Sequence, residues 1–384
     1  MLQIKNSALI ISMLLLFACI KPYDPVIDAS VKSKYVVSGR ITDIEGWQEV
    51  EVSLSSPVDL AKYVPLPGCQ VNVADDKGNV FAMVEFTPGL YRVWMTHENL
   101  VHGTSYKVHV VTPGGDELVS GYDQMPAGPV LDSIYYALKE IPTTDPAVSN
   151  QIMQFYVDIN ASGDYSKYYK WEILETWEYH AVHILEYYYD GKHHKVDPPD
   201  SSKKVCWITS LSKNVFTVST KSLAQNTYKQ FPLHNIDGKS SRLGILYSML
   251  VSQFALSEKA YNYWEKLRIN SNDQGGLYEK QPLAIKGNLV NLTHPDLDVL
   301  GYFYAASQSS RRYFYKDVPG IHLDYNNHCN ESSLGRFGWK EFTRDDYPVY
   351  YYYPATWILR ILDHECVNCT LGGGVTVKPD FWPN

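Results

Sequence analysis

The strongest constraint on this chain is the rhythm of its residues between Tyr35 and Tyr122. Short stretches alternate apolar and polar side chains, the period of a half-buried strand. Tyr35-Val36-Val37-Ser38-Gly39-Arg40-Ile41, Glu49-Val50-Glu51-Val52-Ser53-Leu54 and Cys69-Gln70-Val71-Asn72-Val73-Ala74 show it most clearly. Turn residues separate them: Asp75-Asp76-Lys77-Gly78-Asn79, Pro88-Gly89 and Pro113-Gly114-Gly115-Asp116. Strand patterns with turns roughly every 8–12 residues predict a β-sandwich. The sandwich is expected over residues 33–125, of immunoglobulin or prealbumin-like type.

Met125-Pro126-Ala127-Gly128-Pro129-Val130-Leu131 is the expected boundary, because two prolines and a glycine interrupt strand pairing. Residues 131–384 read as a second, larger antiparallel β-rich domain. Expected strands are 154–159, 168–175, 180–188, 215–219, 241–252 and 301–307, with Asp190-Gly191 as a hairpin turn. One helix is expected near 257–268. Ser257 supplies a cap, and Tyr261, Trp264 and Leu267 share a face that can dock on a sheet, with the stem of Arg268 beside them. Gly275-Gly276 would end that segment. The fold class is therefore mostly β, with at least one packed helix.

Ahead of the sandwich, Lys5 precedes the apolar run Ala8 to Phe17, too short to span ~30 Å of hydrocarbon. Leu16-Phe17-Ala18-Cys19 follows and resembles the lipobox of bacterial lipoproteins. That resemblance implies a signal peptide over residues 1–18 and acylation of Cys19. Two or more acyl chains give durable anchoring, at about 0.8 kcal/mol per buried methylene. Residues 19–32 then read as a polar, lipidated tether. Lys21 and Asp24 resemble the short charged signals that send lipoproteins to the outer surface in Bacteroidetes; the periplasmic face stays open.

The net charge of −8 and the lack of a basic run argue against nucleic acid as a partner. Of six cysteines, Cys19 is reserved for lipid. Export permits disulfides, and Cys206, Cys329, Cys366 and Cys369 are the candidates, with Cys69 left free. Their connectivity cannot be read from spacing. A zinc site from the same four thiols has ligand-like spacing only at Cys366-Val367-Asn368-Cys369, and no metal or other cofactor is assigned.

Several near-motifs fall short. His97 and His102 mimic a zincin pair, but a five-residue interval on a helix sets the rings roughly 140° apart. Asp158-Ile159-Asn160-Ala161-Ser162-Gly163 imitates half a calcium loop, yet Tyr169 stands where the bidentate glutamate belongs. His180, His183, His193 and His194 cluster in sequence, though neighbours at such spacings fall on opposite faces of a strand. Asp345-Asp346 and Asp296/Asp298 are carboxylate pairs without a defined separation. No catalytic residue is assigned.

Taken in order, several segments make the chain resemble the Bacteroidetes lipoproteins grouped as domain of unknown function 4249. They are Cys19 with Pro22-Tyr23-Asp24-Pro25, Tyr35 to Asp43, Leu131-Asp132-Ser133-Ile134-Tyr135-Tyr136, Ser257 to Leu267 and Gln281-Pro282. Ile285-Lys286-Gly287-Asn288, Leu300-Gly301-Tyr302-Phe303 and Cys366 through Trp382 complete the set. The resemblance implies a location and a partner class rather than a chemistry: such proteins look like partners of TonB-dependent outer-membrane transporters.

The expected function is thus a non-catalytic, outer-membrane, surface-exposed lipoprotein. It would be held by its lipid and assist a TonB-dependent β-barrel in capturing an unknown cargo. Its tyrosine-rich C-terminal region, including Tyr187-Tyr188-Tyr189 and Tyr350-Tyr351-Tyr352-Tyr353, would offer the contact surface. The alternatives are an envelope hydrolase acting on glycan or peptide, and an adhesin-like structural lipoprotein.

Overall fold

Strand pairing begins where the alternation begins. The computed structural model describes residues 33–56, 62–142, 149–272, 285–324 and 329–383. The readings made for residues 1–32 (Cys19 included), for Gly275-Gly276 and for Gln281-Pro282 lie outside these.

Tyr35–Thr42 pairs antiparallel with Gly46–Leu54, which pairs with Leu90–Met95. The path continues through Val80–Thr87, Gln70–Asp75, Ser105–Val111 and Glu117–Ser120. Their inward residues form one core, including Val37, Ile41, Val50, Val71, Tyr91 and Tyr106. Each such side chain contributes about 1.5–3 kcal/mol when fully buried. This is the expected β-sandwich.

Beyond Gln124 the chain crosses to the rest of the sheet without regular structure until Ile134. Gly128 passes so close to the sheet that a Cβ there would stand 2.4 Å from both Ala255 Cβ and Ser307 Oγ. Tyr168–His180, Tyr247–Leu256 and Phe303–Tyr315 then pair antiparallel. One face of this array is covered by a sheet of Ile134–Pro142, Ser149–Asn160 and Thr227–Asp237. Phe155, Trp171, Ile173, Met249 and Val251 fill the space between. The other face receives helix Glu258–Asn272, whose Ala260, Tyr261 and Trp264 pack with Phe254, Tyr302 and Tyr304.

Strand Phe303–Tyr315 belongs to both parts. Its first residues pair in parallel with Tyr35–Thr42, and the remainder pairs antiparallel with Tyr247–Leu256. Phe303 and Ala305 point into the sandwich core, whereas Tyr302, Tyr304 and Ala306 face the helix. The approach needs a glycine at 301. Its φ is +92°, and a Cβ would stand 2.1 Å from the Val37 carbonyl oxygen. Lys34–Asn384 forms one compact unit. Among the described residues, no helix is long and apolar enough to cross a membrane.

The expected fold class holds: mostly β, built of large antiparallel sheets, with one α-helix among the described residues. Individual strands differ from expectation for local reasons. The stretch 180–188 is not continuous, since strand pairing stops at His180 and resumes at Leu185. Between them Lys204 Nζ donates to the carbonyls of Ala181 and Val182, taking acceptors that a ladder would need. Ser241–Leu243 is a short 3-10 turn capped by Ser240, so its strand starts only at Tyr247. Asp190-Gly191 does join Leu185–Tyr189 to His193–Asp200, with Gly191 at φ +104°. These two strands form a third sheet with Val349–Tyr352, Arg360–Leu362 and Glu331–Ser333.

Candidate functional site

One face of the large sheet carries alternating charges across several strands. Val84 lies opposite Arg92, Arg92 opposite Glu49, Glu49 opposite Arg40, and Arg40 opposite Tyr304. Cross-strand partners share a face, so these residues form a row. Glu172, on strand Tyr168–His180, completes it: its Oε1 lies 2.8 Å from Arg40 and 2.6 Å from Lys170 Nζ. Lys170 is buried, 3.6 Å above the Trp264 ring and 3.4 Å from the Tyr304 hydroxyl. Burial opposes a charge on Glu172, but Lys170 and Arg40 outweigh it and hold the carboxyl below its usual range.

The helix edge at Trp264 and the strand edge at Trp47 flank a groove of about 540 Å³ along this row. That volume suits a small ligand. The helix is fixed over the sheet at its start. Ser257 Oγ accepts from the Ala260 amide and donates to Asp123, whose other oxygen accepts from the Ala305 amide. Burial pushes the Asp123 carboxyl up.

Next to the groove the sheet is open and apolar. Trp47 and Trp94 are cross-strand partners in edge contact at 5.5 Å. Arg92 lies 4.2 Å from the Trp47 ring and 3.5 Å from that of Phe86. Trp47 is 50% exposed, Trp94 52%, Phe86 54% and Val84 71%. Exposed apolar groups gathered in this way mark interaction surfaces.

The tyrosine runs behave differently. Tyr187, Tyr189 and Tyr351 pack with Trp339, Phe342 and Tyr347 on one face of the third sheet. Tyr350 and Tyr352 join Leu185 and Cys329 on the other. Of these seven tyrosines only Tyr353 is exposed, so the runs build two small cores.

The near-motifs are likewise accounted for. His102 pairs with Asp43 at 2.8 Å, while His97 lies 3.8 Å from Glu45. Asp158 accepts from Lys229, the Gln230 amide and the Tyr135 hydroxyl. His180 contacts Glu178, His183 contacts Glu331, His193 the Tyr351 hydroxyl and His194 Asp190. Asp346 caps its own turn through Thr343, and Asp298 pairs with Lys34. The four cysteines form two bridges, Cys206–Cys369 and Cys329–Cys366, so the neighbours Cys366 and Cys369 belong to different links. Cys69 is a free, buried thiol.

Sequence reasoning missed both charged clusters. The first is Arg40–Glu172–Lys170. The second is Glu175, buried with its Oε1 3.0 Å from His234, 3.1 Å from Arg242 and 2.9 Å from the Tyr247 hydroxyl. The available signal was Lys170 and Glu172, charged at alternate positions of an aromatic-rich strand. Such a face cannot be plain core.

The family described as "Domain of unknown function (DUF4249)" matches residues 20–312. The chain belongs to that family. No curated protein sequence matches it. Among solved structures, it is similar to trypsin-activated alpha-2-macroglobulin from Escherichia coli at 14% identity and a TM-score of 0.18. That match covers 59% of this chain but only 15% of the other, and a likeness so slight carries no argument.

Proposed function

We propose that this DUF4249 protein is a lipid-anchored envelope protein that binds rather than transforms, serving a TonB-dependent outer-membrane β-barrel in cargo capture. The observation that carries the reading is the open Trp47–Arg92–Phe86–Trp94 face beside the charged groove. Trp and Arg dominate the energetics of protein contacts, and here two exposed tryptophans flank a half-buried Arg92 on the sheet. The lipobox-like Leu16 to Cys19 supports the anchor. The envelope face on which it acts is the outer surface in this reading.

Arg40 and Lys170, at 2.8 Å and 2.6 Å, hold the Glu172 carboxyl below its usual range, so Glu172 does not suit the protonated-acid role in glycosidic cleavage.

The test is purification from native membranes in mild detergent, with mass spectrometry of the N-terminal peptide. Acylated Cys19 and a large β-barrel at fixed stoichiometry are expected. Trp47→Ala with Trp94→Ala should lower barrel recovery about tenfold or more. A solitary protein, or an unmodified Cys19, would overturn the proposal.

A further inference from the structure

A second cluster, independent of the groove, gathers donors of metal-ligand type around one disulfide. His183 precedes strand Leu185–Tyr189, and its amide donates to the Cys366 carbonyl at 2.8 Å, which sets it beside the Cys329–Cys366 bridge. Its ring packs 4.2 Å from that of Tyr352, and its Nε2 lies 2.9 Å from Glu331 Oε1. Glu331 begins the strand that pairs with Arg360–Leu362, two residues after Cys329. A His183 ring nitrogen, Cys329 Sγ and a Glu331 oxygen all lie within 4.8 Å of one another. Cys366 Sγ is not one of these three, but its bond to Cys329 holds it next to them as a candidate fourth donor.

Two sulfurs, one imidazole nitrogen and one carboxylate oxygen are donors that zinc accepts in a tetrahedral site. With metal–ligand distances of about 2.0–2.3 Å, donors in such a site stand roughly 3.3–3.8 Å apart. Reaching that spacing requires the sulfurs to separate after their release and Cys366 Sγ to join the other three donors. While they are bonded to each other they are not ligands, because the ligand is the thiolate.

We propose that the Cys329–Cys366 disulfide masks a zinc site made of Cys329, Cys366, His183 and Glu331, which reduction by a dithiol opens. In the reducing step the dithiol delivers two electrons and two protons to the sulfur–sulfur bond. Two cysteine thiols form, and the dithiol becomes a disulfide. On metal entry each thiol loses its proton to solvent and the two thiolates bind Zn²⁺. The device makes metal affinity depend on thiol redox state.

The test uses the mature chain reduced with dithiothreitol, desalted under nitrogen and titrated with cobalt(II) alone. One equivalent should bind with tetrahedral d–d bands and a sulfur-to-cobalt charge-transfer band, all removed by zinc. The oxidised chain should show neither. His183→Ala and Glu331→Gln should each weaken binding about tenfold or more, since even outer-shell partners are worth about 10–100-fold. Cys206→Ser with Cys369→Ser should leave the spectrum unchanged. Loss of the bands in that double variant but not in His183→Ala would place the metal on the other thiols and overturn the proposal. Absence of the bands in the reduced chain would also overturn it.

Discussion

Two aromatic regions of this protein invite opposite conclusions from sequence and from structure. The third sheet holds two runs of tyrosine and looks, in sequence, like a recognition surface. Yet Tyr187, Tyr189 and Tyr351 close around Trp339 and Tyr347, with ring centroids 4.6–5.5 Å apart in the Tyr189–Trp339, Trp339–Tyr351, Tyr187–Tyr351 and Tyr189–Tyr347 contacts. The sandwich holds fewer aromatic residues, but Trp47, Phe86 and Trp94 stay open to solvent around Arg92. The lesson is that abundance of a residue type is a poor guide to its task. Whether an opposing layer covers the face decides it.

Three substitutions bear on that contrast. The largest effect is expected from Tyr351→Ala, at the centre of the packed sheet and only 4% exposed. Emptying such an aromatic position costs about 3–5 kcal/mol, to be read from urea or thermal unfolding. A loss below about 1 kcal/mol would mean that the tyrosine sheet is not a core.

Glu175→Gln sharpens the comparison for carboxylates, one in an aromatic core and others, such as Glu49, on the open face. Glu175 loses charge-assisted bonds with His234 and Arg242, each of a kind worth about 1.5–3 kcal/mol. Burial opposes its charge, but the His234 bond and the Arg242 charge prevail, holding the carboxyl below its usual range. The unfolded chain therefore binds this proton more readily. The stabilisation is complete above the ordinary glutamate value near 4.5 and is lost as pH falls through the lower folded value. Urea titrations between about pH 6 and pH 3 should show a steeper acid loss in the parent chain than in Glu175→Gln. Parallel curves would refute the assignment.

Trp94→Ala should change stability least, within about 0.5 kcal/mol, as expected for an exposed site. Under the proposed function its effect is expected in barrel recovery instead. A large loss of stability would show that the open face is structurally required.

Much of the sandwich was legible because its signal is local. Alternation fixes which residues face inward, and Asp75 to Asn79 or Pro88-Gly89 say where the chain turns. Helix Glu258–Asn272 was legible through Ser257 and its apolar stripe. The strands at Thr227–Asp237, Val205–Leu211 and Val349–Tyr352 were less so. They carry mixed patterns, because they pack on two sides or lie at sheet edges. The break after His180 depends on Lys204, a hydrogen-bond donor 22 residues beyond Val182. Local pattern cannot anticipate such a contact.

The sequence by itself determined the β class, the sandwich, the helix and the family, since each rests on residues close together in the chain or on their order. Tertiary structure alone decided which cysteines pair and which aromatic face stays open. It also joined Arg40 to Glu172 across an interval of 132 residues. The physical reason is that face exposure and ion pairing depend on sheet order. Sheet order here turns on one parallel pairing, of residues 39–42 with residues 303–306, which no local periodicity encodes.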